Sequence, residues 1–383
     1  MILPGTYTLP PGTDFPAELA AGLCTRMAHA PPEAMARVTL YLNTARMRSR
    51  VTEAFQQRGA LLLPRLRLIT DLPDDPTLGL PPPVPALRRR LLLAQLVARL
   101  LDAQPDLAPR AATFDLADSL AQLMDEMQAE EVSTRTIAAL DVANHSEHWA
   151  RIQAFLGIIA PQLEDTSNPD AGLRQRLAVE RTIARWQAEP PADPVIVAGS
   201  TGSRGTTARL MAAVAALPQG ALVLPGYDGD MPASAWDALS DILTAEDHPQ
   251  FRYRRLAAAL GLDPAKLESW TTTPAPNPAR NRLISLSLRP APVTDRWLAE
   301  GPNLPDLVAA TADMTLIEAP GLRAEALAIA LVLREAAEVG KTAALITPDR
   351  MLTRRVAAAL DRWGILPDDS AGRPLALSAP GRF

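Results

Sequence analysis

The sequence has only one cysteine, Cys24, among its 383 residues. A single cysteine excludes a disulfide within the chain, as well as zinc and iron–sulfur sites built on several thiolates. We interpret Cys24 as a small, buried hydrophobic residue. A chain without disulfides is typical of a reducing compartment, so a cytoplasmic location is predicted.

Long apolar runs and a surplus of positive charge are also missing. No run of about 18 apolar residues exists, so no membrane-spanning helix is expected, and Met1-Ile2-Leu3-Pro4 lacks the basic leader of a signal peptide. The formal net charge of −5 provides no global basic field, so any nucleic-acid binding has to depend on local patches.

The clearest fold signal is a pair of short apolar runs, Val195-Ile196-Val197 and Ala221-Leu222-Val223-Leu224, on either side of the helical segment Thr207–Leu217. Each run is too short for a helix and lacks polar alternation, as expected of strands buried on both faces. A strand, a helix and a second strand in this order predict a parallel β-α-β unit. The predicted fold class is therefore α/β with a parallel sheet.

The remaining elements predict a divided α/β domain followed by the start of a second one. Residues 1–85 form its first part, residues 86–190 a mainly helical insertion after a proline-rich connection (Leu72–Pro85), residues 191–300 the return to the first domain, and residues 301–383 a truncated second α/β domain. The chain stops in loop-like sequence, which suggests a piece of something longer.

The predicted strands outside the first β-α-β unit are Tyr7–Leu9, Val38–Leu42, Leu61–Leu63, Arg67–Ile69, Met314–Ile317 and Ala343–Ile346. The clearest predicted helices are Pro16–Ala28, Leu87–Leu101, Phe114–Gln128, Trp149–Leu163, Leu173–Trp186, Ser234–Leu243, Arg252–Leu260, Pro278–Leu288, Arg323–Glu338 and Met351–Trp363.

The turn after the strand at Val195 is rich in Gly, Ser and Thr, which suggests a phosphate loop, but its spacing is wrong. A P-loop requires G-x-x-x-x-G-K-[ST]. Anchored on Gly205, the first glycine position holds Ser200 and the lysine position holds Thr206. A tight strand-to-helix turn is the favoured interpretation.

The order of domains is that of superfamily I helicases, and several stretches resemble the AddB family in its alphaproteobacterial form. AddB proteins are the nuclease-bearing subunits of the AddAB complex for double-strand break repair. The resemblance covers essentially the whole chain and implies an amino-terminal part without the nuclease domain. It is carried by VAGSTGS at 197–203, LPGYD at 224–228, HPQF at 248–251, KTAALITPDRMLTRRVAAALDRWGI at 341–365 and DDSAGRPLA at 368–376.

The resemblance also implies a degenerate nucleotide site. The loop after the first strand, around Gly12, has no lysine, and the metal-binding Asp-Glu pair falls at Ala198 and Gly199. The glutamine that senses the γ-phosphate falls at Gly229, and the arginine of the second domain falls at Pro348. Phosphoryl transfer depends on such cationic and metal-holding groups, so we expect no catalytic residue, nucleotide site, metal or cofactor here, and no ATP hydrolysis.

The family's motif for holding single-stranded DNA is better preserved, as Leu42-Asn43-Thr44-Ala45-Arg46. Asn43 and Thr44 offer hydrogen-bonding groups for phosphate or sugar, and Arg46 and Arg48 offer positive charge. A capped helix with a solvated arginine face remains the alternative interpretation.

Other clusters favour structural roles. Arg88-Arg89-Arg90, Arg354-Arg355 and the acidic group at Asp125-Glu126 and Glu130-Glu131 are typical of solvated helix faces or ion pairs. His145 and His148 have the spacing of metal ligands but no further ligand nearby, and Asp368-Asp369-Ser370 is a turn and cap pattern.

These observations predict a helicase-shaped chain without a motor, which binds single-stranded or double-strand-end DNA and an AddA-like ATPase subunit, and which touches no membrane. Two alternatives remain. One is a nucleotide-dependent ATPase that uses the loop at 199–207, and the other is a protein-interaction scaffold that never touches DNA.

Overall fold

The computed structural model describes residues 4–59, 62–139, 165–304 and 306–370, together with residues 372, 375 and 381. The chain divides into two compact units, Met1–Ala310 and Thr311–Phe383. The predicted helix Trp149–Leu163 and the pair His145 and His148 lie outside the described residues.

The first unit is built on one sheet of six parallel strands in the order β3-β2-β4-β5-β1-β6. The predicted α/β class and the parallel β-α-β unit are confirmed, and the arrangement is consistent with a Rossmann-like or P-loop-like fold. The strands are β1 (Gly5–Thr8), β2 (Thr39–Leu42), β3 (Arg65–Leu68), β4 (Val195–Ala198), β5 (Gly220–Leu224) and β6 (Glu268–Ser269).

The central strands are buried on both faces, which explains their uninterrupted apolar sequences. Because successive side chains of a strand point to opposite faces, Val195 and Val197 join one core and Ile196 and Ala198 join the other. The register aligns Leu42 with Ala198 and Leu68, so the carboxyl ends of these three strands finish at the same edge.

Helices cover both faces of this sheet, and several begin at the side-chain caps expected of Asp, Thr and Asn. The helices of the first unit are α1 (Phe15–Met27), α2 (Ala45–Gln56), α3 (Ala86–Ala103), α4 (Thr113–Ala129), α5 (Thr134–Ala138), α6 (Ala171–Ala188), α7 (Gly205–Ala215), α8 (Ala233–Ala238), α9 (Ile242–Ala245), α10 (Phe251–Leu260), α11 (Pro278–Ser287), α12 (Arg296–Glu300) and α13 (Leu307–Thr311, whose last residue falls in the second unit).

The described part of the segment between β3 and β4 contains helices and connecting loops but no strand. After short 3₁₀ turns at Ile69–Asp74 and Pro76–Leu78, α3 and α4 pack against each other. Leu93, Val97 and Met124 belong to a separate small core between these two helices. The insertion therefore has a hydrophobic core of its own beside those of the sheet.

One predicted strand of the first unit, Leu61–Leu63, does not match the structure. Leu62 and Leu63 form no strand, and the real edge strand β3 begins at Arg65. The sequence prediction also missed β6, which has only two residues, both exposed.

The second unit contains α14 (Leu322–Glu338) and α15 (Arg350–Asp361), as predicted, packed through a small core that includes Ala330 and Val356. The predicted strands Met314–Ile317 and Ala343–Ile346 are wrong for this structure, since neither segment forms a strand. Leu316 is 85% exposed and Ile346 is 94% exposed. A strand requires a hydrogen-bonded neighbour, and apolar sequence alone does not supply one.

Candidate functional site

The helices that follow β2 and β4 lie on opposite faces of the sheet, although these two strands are neighbours. The chain leaves β2 through α2, which packs on one face of the sheet with Val51 and Phe55. It leaves β4 through α7, which packs on the opposite face with Leu210 and Val214. In parallel α/β proteins, ligands bind in the crevice that such a switch opens at the carboxyl ends of the strands. The crevice between β2 and β4 is therefore the leading candidate site.

Asn43 and Gly199 are the first residues after these two strands, and they lie side by side in the crevice. Gly199 has a φ of +77°, which a glycine adopts without strain. A Cβ atom placed on Gly199 would lie 3.5 Å from Oδ1 of Asn43 and 3.4 Å from Cε1 of Phe15. The side chain of Asn43 is exposed, so its amide presents both donors and an acceptor at this edge.

Thr44 is the N-cap of α2, as its position before an arginine-rich helix suggested. Its hydroxyl oxygen accepts a hydrogen bond from the backbone N–H of Met47 at 3.1 Å. The hydroxyl hydrogen still has the capacity to donate, because a hydroxyl both donates and accepts. The positive end of the α2 dipole also lies at this edge of the sheet.

The arginines of α2 have different environments. Arg46 is exposed on the first turn. Arg48 forms an ion pair with Asp71, with 3.4 Å between Nη1 and Oδ2, and Arg50 pairs with Glu53 at 2.6 Å on the same helix. The first turns of α2 therefore carry positive charge, and that of Arg48 is matched by a carboxylate that follows β3.

The loop around Gly12, where the resemblance places a phosphate loop, is a tight turn held by side-chain hydrogen bonds. The hydroxyl of Thr13 donates to the carbonyl of Pro10 at 2.9 Å, and the carboxylate of Asp14 caps α1 by accepting from the N–H of Ala17. Nδ2 of Asn281 donates to the carbonyl of Pro11 at 3.1 Å. The loop thus carries no cationic side chain.

The other positions of the expected nucleotide machinery offer no ligand atoms from their side chains. Ala198 is completely buried, and Gly199 and Gly229 have no side chain. Pro348, in the second unit, precedes the N-cap Asp349 of α15 and carries no charge.

The Gly-rich loop at 199–207 packs against the insertion. Thr206, at the position of the P-loop lysine, is 5% exposed, and its hydroxyl donates to the carbonyl of Ala129 at 3.2 Å. A Cβ atom on Gly205 would lie 3.2 Å from that same carbonyl oxygen. Gly205 and Thr206 therefore allow close packing against the end of α4.

A second polar feature lies at the ends of β1 and β5, where the HPQF segment clamps the turn after β5. Oε1 of Gln250 accepts from the N–H of Asp228 at 3.1 Å, and its Nε2 donates to the carbonyl of Gly226 at 2.9 Å. His248 uses both ring nitrogens: Nδ1 accepts from the N–H of Gln250, and Nε2 donates to the carbonyl of Leu288 at 2.8 Å. Sequence inspection noted this segment only for its resemblance and did not predict the clamp.

Burial shifts the two titratable groups of this feature in opposite directions. Desolvation raises the pKa of Asp228, although hydrogen bonds from the Ser285 hydroxyl and the Asp230 N–H partly oppose the shift. Desolvation lowers the pKa of His248, because burial penalises the imidazolium form. A cavity of about 280 Å³ adjoins both side chains and is also lined by Gly12, Arg280 and Asn281.

Two arginines of the Arg88-Arg89-Arg90 cluster have carboxylate partners. Arg89 pairs with Asp125 at 2.9 Å and Asp170 at 3.0 Å, and Arg90 makes a bidentate contact with Asp118 at 2.7 Å. Within the described ranges, no three His, Cys, Asp or Glu side chains come together in a way that could hold a metal ion. Cys24 is half-buried, and burial raises the pKa of its thiol.

No protein-family model matches the sequence, and no curated protein matches it. Among the residues that the structure describes, none of the helices has the length and apolar character needed to cross a bilayer. The class established for the first unit is thus a parallel α/β protein with a switch-point crevice, and any assignment of function depends on the residues at that crevice.

Proposed function

We propose that the crevice between β2 and β4 holds the backbone of single-stranded DNA. The observation that carries this proposal is the placement of Asn43 beside Gly199, next to the capped amino end of α2. Amide groups, a hydroxyl, helix amides and nearby arginines are the groups that bind phosphate and sugar without reading sequence. The glycine opposite them allows the turn after β4 to pack closely against Asn43.

We further propose that the chain is the non-motor, helicase-like part of a double-strand break repair subunit. In this proposal it binds DNA while an AddA-like ATPase subunit supplies the motor activity. The loops that would hold a nucleotide support this interpretation, since the turn at Gly12 has no cation and Thr206 is buried against Ala129. The ATPase alternative has no comparable support, because its loop is occupied by packing against α4.

Fluorescence anisotropy with a labelled oligo(dT) tests DNA binding. Changing Arg46 and Arg48 together to Glu should weaken binding at least about ten-fold at low salt and make the dependence on salt concentration shallower. A matched control changes Arg99 and Arg135 to Glu, since both are exposed on the helical insertion and the net charge changes equally. Equal losses in the two variants would refute a specific site at α2, and no binding by the unmodified chain would refute the proposal as a whole.

Two further measurements test the lack of a motor and the partner. Calorimetric titration with ATP and Mg²⁺ should give no heat of binding, so micromolar affinity would contradict the proposal. Co-purification with an AddA-like subunit should give a stable complex that unwinds DNA, whereas failure to associate would favour a different partner and leave DNA binding to be judged by the anisotropy data.

A further inference from the structure

The turn that follows β3 is acidic, and each of its three aspartates faces an arginine. Asp74 pairs with Arg174 at 2.9 Å, and Asp75 lies 3.7 Å from Arg185. Both of these arginines belong to α6, on the face of the sheet opposite α2. Asp71 differs from the other two, because its partner Arg48 belongs to α2, the helix whose amino end lies at the candidate site.

Asp71 and the first turns of α2 are neighbours because β2 and β3 are paired in register. Leu42 is aligned with Leu68, so the residues that follow these two strands begin at the same edge. Oδ2 of Asp71 accepts from the backbone N–H of Leu68 at 3.3 Å and from Nη1 of Arg48 at 3.4 Å. The side chains of Arg48 and Asp71 are 42% and 46% exposed, so a ligand phosphate has access to the same guanidinium.

We propose that Asp71 is a built-in competitor for the DNA phosphate that Arg48 would bind, an inference that rests on the proposed function. Carboxylate and phosphate oxygens are alternative partners for a guanidinium group, and Arg48 cannot give its full charge to both. An exposed ion pair contributes little to folding, so it is easily exchanged. The carboxylate therefore weakens DNA binding and favours release of the strand, as a protein that must let DNA slide requires.

The test compares Asp71→Asn with Asp74→Asn in the same oligo(dT) anisotropy assay across a range of salt concentrations. Both changes raise the net charge by one on the same turn, but only the first removes the carboxylate from Arg48. Asparagine keeps an oxygen that accepts from the N–H of Leu68, so the turn should remain folded, which thermal melting checks. Asp71→Asn should tighten DNA binding about three- to ten-fold at low salt. It should also steepen the salt dependence by the equivalent of up to about one phosphate contact. Asp74→Asn should change the affinity for DNA less than about two-fold.

A double-mutant cycle with Arg48→Gln separates the direct contact from general electrostatics. In the Arg48→Gln background, Asp71→Asn should lose most of its effect, because the group for which it competes is gone. Equal tightening by Asp71→Asn and Asp74→Asn, or an unchanged effect without Arg48, would overturn the inference and leave the proposed function standing. Absence of DNA binding by the unmodified chain and all variants would overturn both.

Discussion

At the scale of single residues, the candidate site depends on Asn43 and Gly199, which are neighbours in the fold but remote in sequence. The motif around Asn43 and the Gly-rich turn after β4 were both recognisable from their residue types. Their contact was not predictable, because it requires β2 to pair with β4, a strand remote in sequence, as well as with β3, the next strand in the chain. Propensity and spacing report local conformation, whereas strand order is decided by packing across the whole domain.

Gly199 has a left-handed backbone conformation at the edge of the crevice. With a φ of +77°, an alanine there incurs left-handed strain of about 1–2 kcal/mol, even though its Cβ would make only ordinary contacts. We predict that Gly199→Ala lowers the free energy of unfolding by this amount in urea titrations. Gly229→Ala is the control, since nothing lies within 4 Å of a Cβ there and its φ is not left-handed, and it should change stability by less than about 0.5 kcal/mol. If both substitutions lower the free energy of unfolding equally, backbone strain at Gly199 is not the cause of the loss.

His248 should make the stability of the first unit depend on pH. The pKa of His248 in the folded state is below the ordinary value of 6.5, so the folded state resists protonation. The stability that this group contributes is therefore fully present above pH 6.5, and it is lost as pH falls through the lower folded pKa. Protonation of Nδ1 removes the acceptor for the N–H of Gln250. Near pH 8, His248→Gln should therefore cost about 1 kcal/mol in urea unfolding. The difference between the two proteins should shrink as pH falls to 5; a difference that grows would contradict the neutral imidazole.

At the scale of elements, the sequence predicted those with a strong and complete pattern. The strands β4 and β5 were predicted because a buried parallel strand is an uninterrupted apolar run, and α15 because its apolar residues recur on one face. β6 escaped notice because two exposed residues carry no pattern. The segment Met314–Ile317 was predicted as a strand from apolar residues that the structure leaves exposed and unpaired.

The N-cap at the amino end of α2 should contribute to the stability of the protein. Thr44 accepts from the N–H of Met47, one of the amides that a helix cannot satisfy internally. Thr44→Ala should lower the free energy of unfolding by about 1 kcal/mol, and Thr44→Ser should retain most of it, because serine keeps the capping hydroxyl. Differential scanning calorimetry of the three proteins measures this. An equal loss in the serine variant would show that the methyl group, and not the cap, is responsible.

At the scale of the molecule, all the groups proposed to bind DNA lie within the first unit. Asn43, Thr44, Arg46 and Arg48 follow β2, and Gly199 follows β4, inside one sheet whose six strands all precede residue 270. A compact unit with its own core generally folds alone. The sequence prediction placed the boundary between residues 300 and 301, and the structure divides the units between Ala310 and Thr311.

A chain that ends at Ala310 should therefore keep the DNA affinity of the longer chain. We predict equal affinities for oligo(dT) within about two-fold, with the same salt dependence, because the number of phosphates neutralised should be the same. Introducing Arg46→Glu and Arg48→Glu into the shorter chain should weaken binding as much as in the longer chain, and cooperative urea unfolding checks that the shorter chain is folded. A folded shorter chain with a shallower salt dependence would mean that residues beyond Ala310 also contact phosphates, and the site would then have to be redrawn to include them.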